Sequence, residues 1–80
     1  MDEQKYFLSV VDFARNNPTV DVVKAYQVGL ERWPNSKILG FALANLHYDM
    51  GKQSEALAGY RRLLIVAPDF APAYNNLAQL

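Results

Sequence analysis

Cysteine is absent from this 80-residue chain, so neither a disulfide framework nor a thiolate metal site can form. Histidine occurs once, at His47, and a lone imidazole cannot build a metal site. Neither sign of charge is in excess, because eight Lys and Arg balance eight Asp and Glu. A nucleic-acid binder carries a basic stripe. The one basic doublet here, Arg61-Arg62, sits among apolar residues and reads as a solvated helix face. No apolar run, Leu63 to Pro68 included, approaches the roughly 20 residues of a membrane span. The acidic start Met1-Asp2-Glu3 has no apolar run behind it, so it does not read as a secretory signal. These absences predict a soluble chain, cytoplasmic by default, with no cofactor, metal, nucleic acid or membrane to bind.

What is present points to a packed helical domain. The chain is 51 % hydrophobic and 12 % aromatic, ample for a core and incompatible with disorder. Its length allows one small domain, which hides only about 60 % of its unfolded surface. Pro18, Pro34, Gly51 and Pro68 punctuate the sequence, and between them apolar residues recur at helical spacing. Tyr6, Val10 and Phe13 mark a first helix; Val22, Tyr26, Gly29, Leu30 and Trp33 a second; Leu39, Leu43, Leu46 and Met50 a third. Ala56, Leu57, Tyr60, Leu63 and Leu64 mark a fourth, and Tyr74, Leu77 and Ala78 begin a fifth. No segment sustains the period-two alternation of a strand.

The breaks have local causes. A residue before proline is pushed out of the helical region, so Asn17-Pro18 ends the first helix. Gly51 can take the left-handed conformation that closes the third. Asn17 stands at the same register one unit earlier, but the proline after it predicts a different turn. Ser36, Ser54 and Asp69 are expected N-caps. Gly40 and Gly59 are expected where helices approach closely.

One step links the two halves. Thirty-four residues carry Tyr26 onto Tyr60, Leu30 onto Leu64, Pro34 onto Pro68 and Leu43 onto Leu77. A fixed period of about 20 to 50 residues is the mark of stacked repeats, whose units bury their apolar faces only against neighbours. Catalytic arrangements find little support. His47, Asp49 and Ser54 have the composition of a triad, but Asp49 lies about 200° around the helix from His47. A turn then separates Ser54 from both. The glycines lack phosphate-cradling spacing, and the acidic residues are dispersed. We therefore expect no enzyme.

These residues resemble the tetratricopeptide repeat family, a 34-residue helix–turn–helix unit. Residues 37–70 match well: Leu43, Ala44, His47, Gly51, Ala56, Tyr60, Leu63 and Pro68 fall in the family's positions. They depart at Gly40, where an aromatic is expected, and His47 replaces a second aromatic that packs between helices. Residues 3–36 form a degenerate copy in which Tyr6, Phe13, Tyr26 and Pro34 fit, while Ser9 replaces leucine and Val22 replaces alanine. Residues 71–80 read as the first helix of a third unit, with Tyr74, Leu77 and Ala78 in register. The count stops at Leu80, so the 80 residues read as a piece of a longer array or as one cut short. The close stepping is similar to repeat tails of larger bacterial proteins.

The resemblance implies an all-α, right-handed solenoid of about five helices in antiparallel pairs. It implies a concave groove, lined by the first helix of each unit, that takes a partner peptide or protein. By register the groove holds Phe7, Val11 and Arg15; then Ile38, Phe41, Ala42, Asn45, Tyr48 and Asp49; then Asn75, Asn76 and Gln79. These lie off the core stripe, and the alternative for Phe7, Ile38 and Phe41 is that they fill space between neighbouring helices. Asn45, Asn75, Asn76 and Gln79 offer neutral partners for an extended peptide backbone. The carboxylate clamp of some family members needs Lys and Asn where this chain has Phe7, Val11, Ala42, Pro72 and Asn76, so no clamp is expected. The runner-up role is self-association into a homodimer through the uncovered end around Tyr74 and Leu77.

Overall fold

The computed structural model describes residues 2–17 and 21–80, and among them every regular element is an α-helix. The five are α1 (Glu3–Asn16), α2 (Val22–Arg32), α3 (Lys37–Asp49), α4 (Gln53–Val66) and α5 (Ala71–Leu77). Each packs on its neighbour in sequence, α3 and α4 most extensively, and α1 also reaches α3. No helix among the described residues is long and apolar enough to cross a membrane. The expected Pro18 stop lies outside the described residues.

Helix starts follow capping chemistry, though not always at the expected residues. Ser36 caps α3, its buried hydroxyl accepting the Leu39 N–H at 3.1 Å. Asp2 and Asp21 do the same for α1 and α2, accepting from Lys5 and Lys24 at 2.8 and 3.0 Å. Ser54 is not a cap, because α4 already begins at Gln53 behind Lys52, which makes no side-chain cap bond. Asp69 is not one either. Phe70 precedes α5, at the register of Ser36 one unit on, and offers no acceptor.

The helix ends show where the 34-residue step becomes geometry. Trp33 and Ala67, each followed by proline, leave the helix at φ −125°, ψ 75° and φ −135°, ψ 80°. Each bonds back to the fourth residue before it, Trp33 N–H to Gly29 and Ala67 N–H to Leu63, both at 2.8 Å. Their own carbonyls accept from Ser36 and Phe70 at 3.0 and 3.1 Å. The same turn is thus built twice. The α3–α4 turn is tighter: Gly51 sits at φ +79°, its N–H bonds to Tyr48 at 3.0 Å, and Lys52 N–H reaches His47 at 2.8 Å. Asn17 is not left-handed; it leaves the helix at φ −137°, ψ 80°, and its side-chain amide donates to the Phe13 carbonyl at 2.9 Å.

The core is lopsided. Ala44, Ala56, Tyr60, Leu63 and Ala73 form its centre, with Phe41, Tyr48, Leu64, Phe70 and Leu77 packed around them. All of these belong to α3, α4, α5 and the turn between the last two. No residue of α1 is fully buried, and Phe13, assigned to its stripe, is 56 % exposed. Met50 is half exposed as well. In α5 the buried residue is Ala73 rather than Tyr74, whose ring is 51 % exposed with its hydroxyl donating to the Pro68 carbonyl. Seven residues are too few for periodicity to fix a helix's phase. Leu39, fully buried one period earlier, has the register of Ala73.

Small residues set how closely helices approach. A Cβ on Gly59 would come within 3.0 Å of the Ala44 Cβ, so glycine lets α4 lie against α3. Gly40, expected to be another close contact, has room: its Cβ would meet only Leu63, at an ordinary 3.6 Å. The tight place is Gly29, where a Cβ would fall 2.7 Å from Tyr6 Cε1 and 2.9 Å from Leu39 Cδ1. Gly29 and Leu63 share one register, as do Tyr6 and Gly40. One unit therefore pairs a large residue of its first helix with a glycine of its second, and the next unit reverses the sizes.

Candidate functional site

The residues expected to face a partner lie on α1, α3 and α5, and several have structural work as well. Phe7 is half-buried and stacks on Tyr26, ring centres 6.0 Å apart. Phe41 meets Phe70 edge-on at 5.2 Å and Tyr60 at 6.2 Å. Tyr48 packs on the same core cluster. Phe7, Phe41 and Tyr48 thus have core duty, the space-filling alternative for Phe7 and Phe41, while Ile38 does not. Val11 and Ala42 are half-buried, while Arg15, Asp49, Asn75 and Gln79 are exposed. Ile38 is the exposed aliphatic residue of the group, at 36 %.

Polar chemistry gathers at one point. The Tyr60 hydroxyl donates to Asn45 Oδ1, and Asn76 Nδ2 donates to the same oxygen at 2.7 Å. Asn76 Nδ2 also lies 3.2 Å from the Tyr60 oxygen. One residue from each of α3, α4 and α5 is thereby tied into a neutral cluster. A buried tyrosine hydroxyl needs a partner, and this need is met: among the described residues no buried side-chain nitrogen or oxygen lacks one. Burial pushes the Tyr60 phenol above its ordinary range; Asn76 opposes this, while Asp49 and Tyr48 add to the rise. Burial alone raises Tyr26.

Of the four amides expected on this surface, Asn45 and Asn76 are joined to each other and to Tyr60, while Asn75 and Gln79 stay exposed. Tyr60 and Phe70 are the residues that sequence reasoning did not attach to this surface. The available signal was the phenol itself, placed in a core stripe with no partner assigned. At the C-terminal side, Leu77 packs on the core whereas Tyr74 is open. On α4, Ile65 is 81 % exposed.

His47 is half-buried on α3, as a packing residue would be. Among the described residues no group of three or more His, Cys, Asp or Glu could hold a metal ion. Compared with known protein families and with curated proteins, the sequence matches none.

Proposed function

We propose that this chain is a tetratricopeptide-like array that binds a partner peptide or protein without catalysis, through the surface of α1, α3 and α5. The observation that carries the reading is the Tyr60–Asn45–Asn76 cluster, which ties α3 and α5 together beside exposed Ile38, Asn75 and Gln79. A surface held in place before binding loses less conformational freedom when a ligand arrives. The repeated turn at Trp33 and Ala67 supports the stacked arrangement. Phe7, Val11, Arg15, Phe41 and Tyr48 complete the contact surface by register.

The test uses peptides selected by display against the whole chain, followed by amide chemical-shift mapping. Shifts should centre on Ile38, Phe41, Asn45 and Asn75. Because Ile38 is exposed, Ile38→Glu should weaken binding about tenfold or more, roughly 1.4 kcal/mol, while leaving the melting temperature nearly unchanged. Shifts confined to the outer faces of α2 and α4 would sink the proposal.

Exposed Tyr74 favours a second reading, self-association through the end of the chain around Tyr74 and Leu77. Leu77 is a poor reporter of it, because Leu77→Glu would also disrupt the core. Tyr74→Lys tests the idea cleanly, because the residue is half exposed. If sedimentation velocity shows only monomer at high concentration before that change, this reading is wrong.

A further inference from the structure

The turn between α2 and α3 recurs between α4 and α5, yet the helix it delivers is seated differently. Three changes across the 34-residue step account for this. Ser36, which caps α3, gives way to Phe70, which offers no acceptor to α5. Leu39, fully buried, gives way to the much smaller Ala73. Ala42, half-buried and apolar, gives way to Asn76, which donates to Asn45 at 2.7 Å. Asn45 itself stands where the preceding unit has Val11. The seam that holds α5 is thus polar at positions where its counterpart is apolar.

A polar seam parts more readily than an apolar one. Water replaces the lost hydrogen bonds, whereas a bared apolar side chain loses its burial in full. Uncapped, and anchored by alanine in place of leucine, α5 is held less firmly than α3. Its connection to α4 runs from Ala67 to Phe70. There the Phe70 N–H donates to the Ala67 carbonyl at 3.1 Å, and the Tyr74 hydroxyl donates to the Pro68 carbonyl at 2.8 Å. The Tyr74 ring is half exposed, so water competes for that second bond. An emptied seat is selective in turn. It presents Asn45 Oδ1 and the Tyr60 oxygen to an amide donor, beside a core that takes a small residue three places earlier and a leucine one place later.

We propose that α5 exchanges between two copies of this chain, Asn76 of each donating to Asn45 of the other. An identical copy brings Ala73, Asn76 and Leu77 in the order the seat requires, and a short connection suits such an exchange. Every contact that α5 makes on α3 and α4 is kept, now across two chains. The open face of Tyr74 takes no part, which separates this dimer from self-association through that face. Peptide binding at α1, α3 and α5 needs only a filled seat and is independent of whose α5 fills it.

Nitrogen-labelled and unlabelled whole chains, mixed in urea and refolded together at high concentration, test the exchange. Sedimentation velocity should show a dimer. Its isotope-filtered spectrum should join the labelled Asn76 side-chain amide to the Tyr60 ring of the unlabelled copy. Asn76→Ala removes the same bonds from monomer and dimer, so it should leave their ratio nearly unchanged. It should speed their interconversion about fivefold, the factor one hydrogen bond supplies. Tyr74→Lys should leave the dimer in place. Any of four results overturns the proposal: only monomer after refolding together, no signal between copies, a dimer dissolved by Tyr74→Lys, or a dimer whose lifetime Asn76→Ala does not shorten.

Discussion

Gly29 and Gly40 both lie inside helices, yet an alanine at each should move stability in opposite directions. In either place the new methyl removes backbone freedom from the unfolded chain and stabilises a helix interior by about 0.5–1 kcal/mol. That gain is common to both. What differs is the space. At Gly40 the Cβ meets only Leu63, at 3.6 Å, so Gly40→Ala keeps the whole gain. At Gly29 it would fall 2.7 Å from the Tyr6 ring and 2.9 Å from Leu39, which is itself fully buried. Overpacking of this kind costs about 1–3 kcal/mol.

The difference between the two variants therefore isolates the steric cost. In a domain of this size it should separate their melting temperatures by about 4–24 °C, with Gly40→Ala above the parent and Gly29→Ala below Gly40→Ala. Helical circular dichroism during heating measures both, and urea midpoints at fixed temperature give the same difference in kcal/mol. The cause can be checked by a double-mutant cycle. With Tyr6→Ala in place, the cost of Gly29→Ala should fall by about half or more, because the nearer of its two obstacles is gone. If Gly29→Ala melts at or above Gly40→Ala, the size reversal between units does not operate and the argument fails.

Ser36→Ala removes a buried cap and should cost about 1–2 kcal/mol, whereas Ser54→Ala, which caps nothing, should stay within about 0.5 kcal/mol; equal urea midpoints would contradict the assigned start of α4. The Tyr26 and Tyr60 phenols ionise above their ordinary value of about 10 because burial disfavours phenolate. The unfolded chain then loses those protons first, so this contribution is complete below about pH 10 and is lost as pH rises through the native values. Tyr26 and Tyr60 should ionise late in a phenolate absorbance titration, with urea midpoints falling over the same window. A midpoint rising there would refute the assignment. Amide exchange should be slowest in α3 and α4 and faster in α1, which holds no fully buried residue; equally slow α1 amides would show that the core extends further than burial indicates.

The five helices were legible because punctuation and apolar spacing repeat, and the turn at Gly51 because glycine alone suits its φ. Ser36 was legible as a cap since it directly precedes an apolar helical pattern. Ser54 misled: the tight turn at Gly51 and Lys52 starts α4 earlier than a capping serine requires. Asp2 and Asp21 were missed, although each directly precedes its helix as Ser36 does. The α1–α3–α5 surface was legible as a set of positions but not as a set of contacts. Spacing says that Asn45 leaves the core stripe. It does not say that Asn76, from a helix 31 residues away, will donate to it. Long-range pairing depends on how helices cross, which local patterns do not encode.

The exchange of sizes between Tyr6 with Gly29 and Gly40 with Leu63 also bears on how such a chain can change over generations. A single substitution that made the second unit more like the first would put Tyr opposite Leu or Gly opposite Gly. One combination overfills the contact and the other empties it, so both intermediates are less fit than either end. Units of this kind should drift in correlated pairs. Grafting one unit's helix onto another's partner should fail unless both residues of the pair travel together.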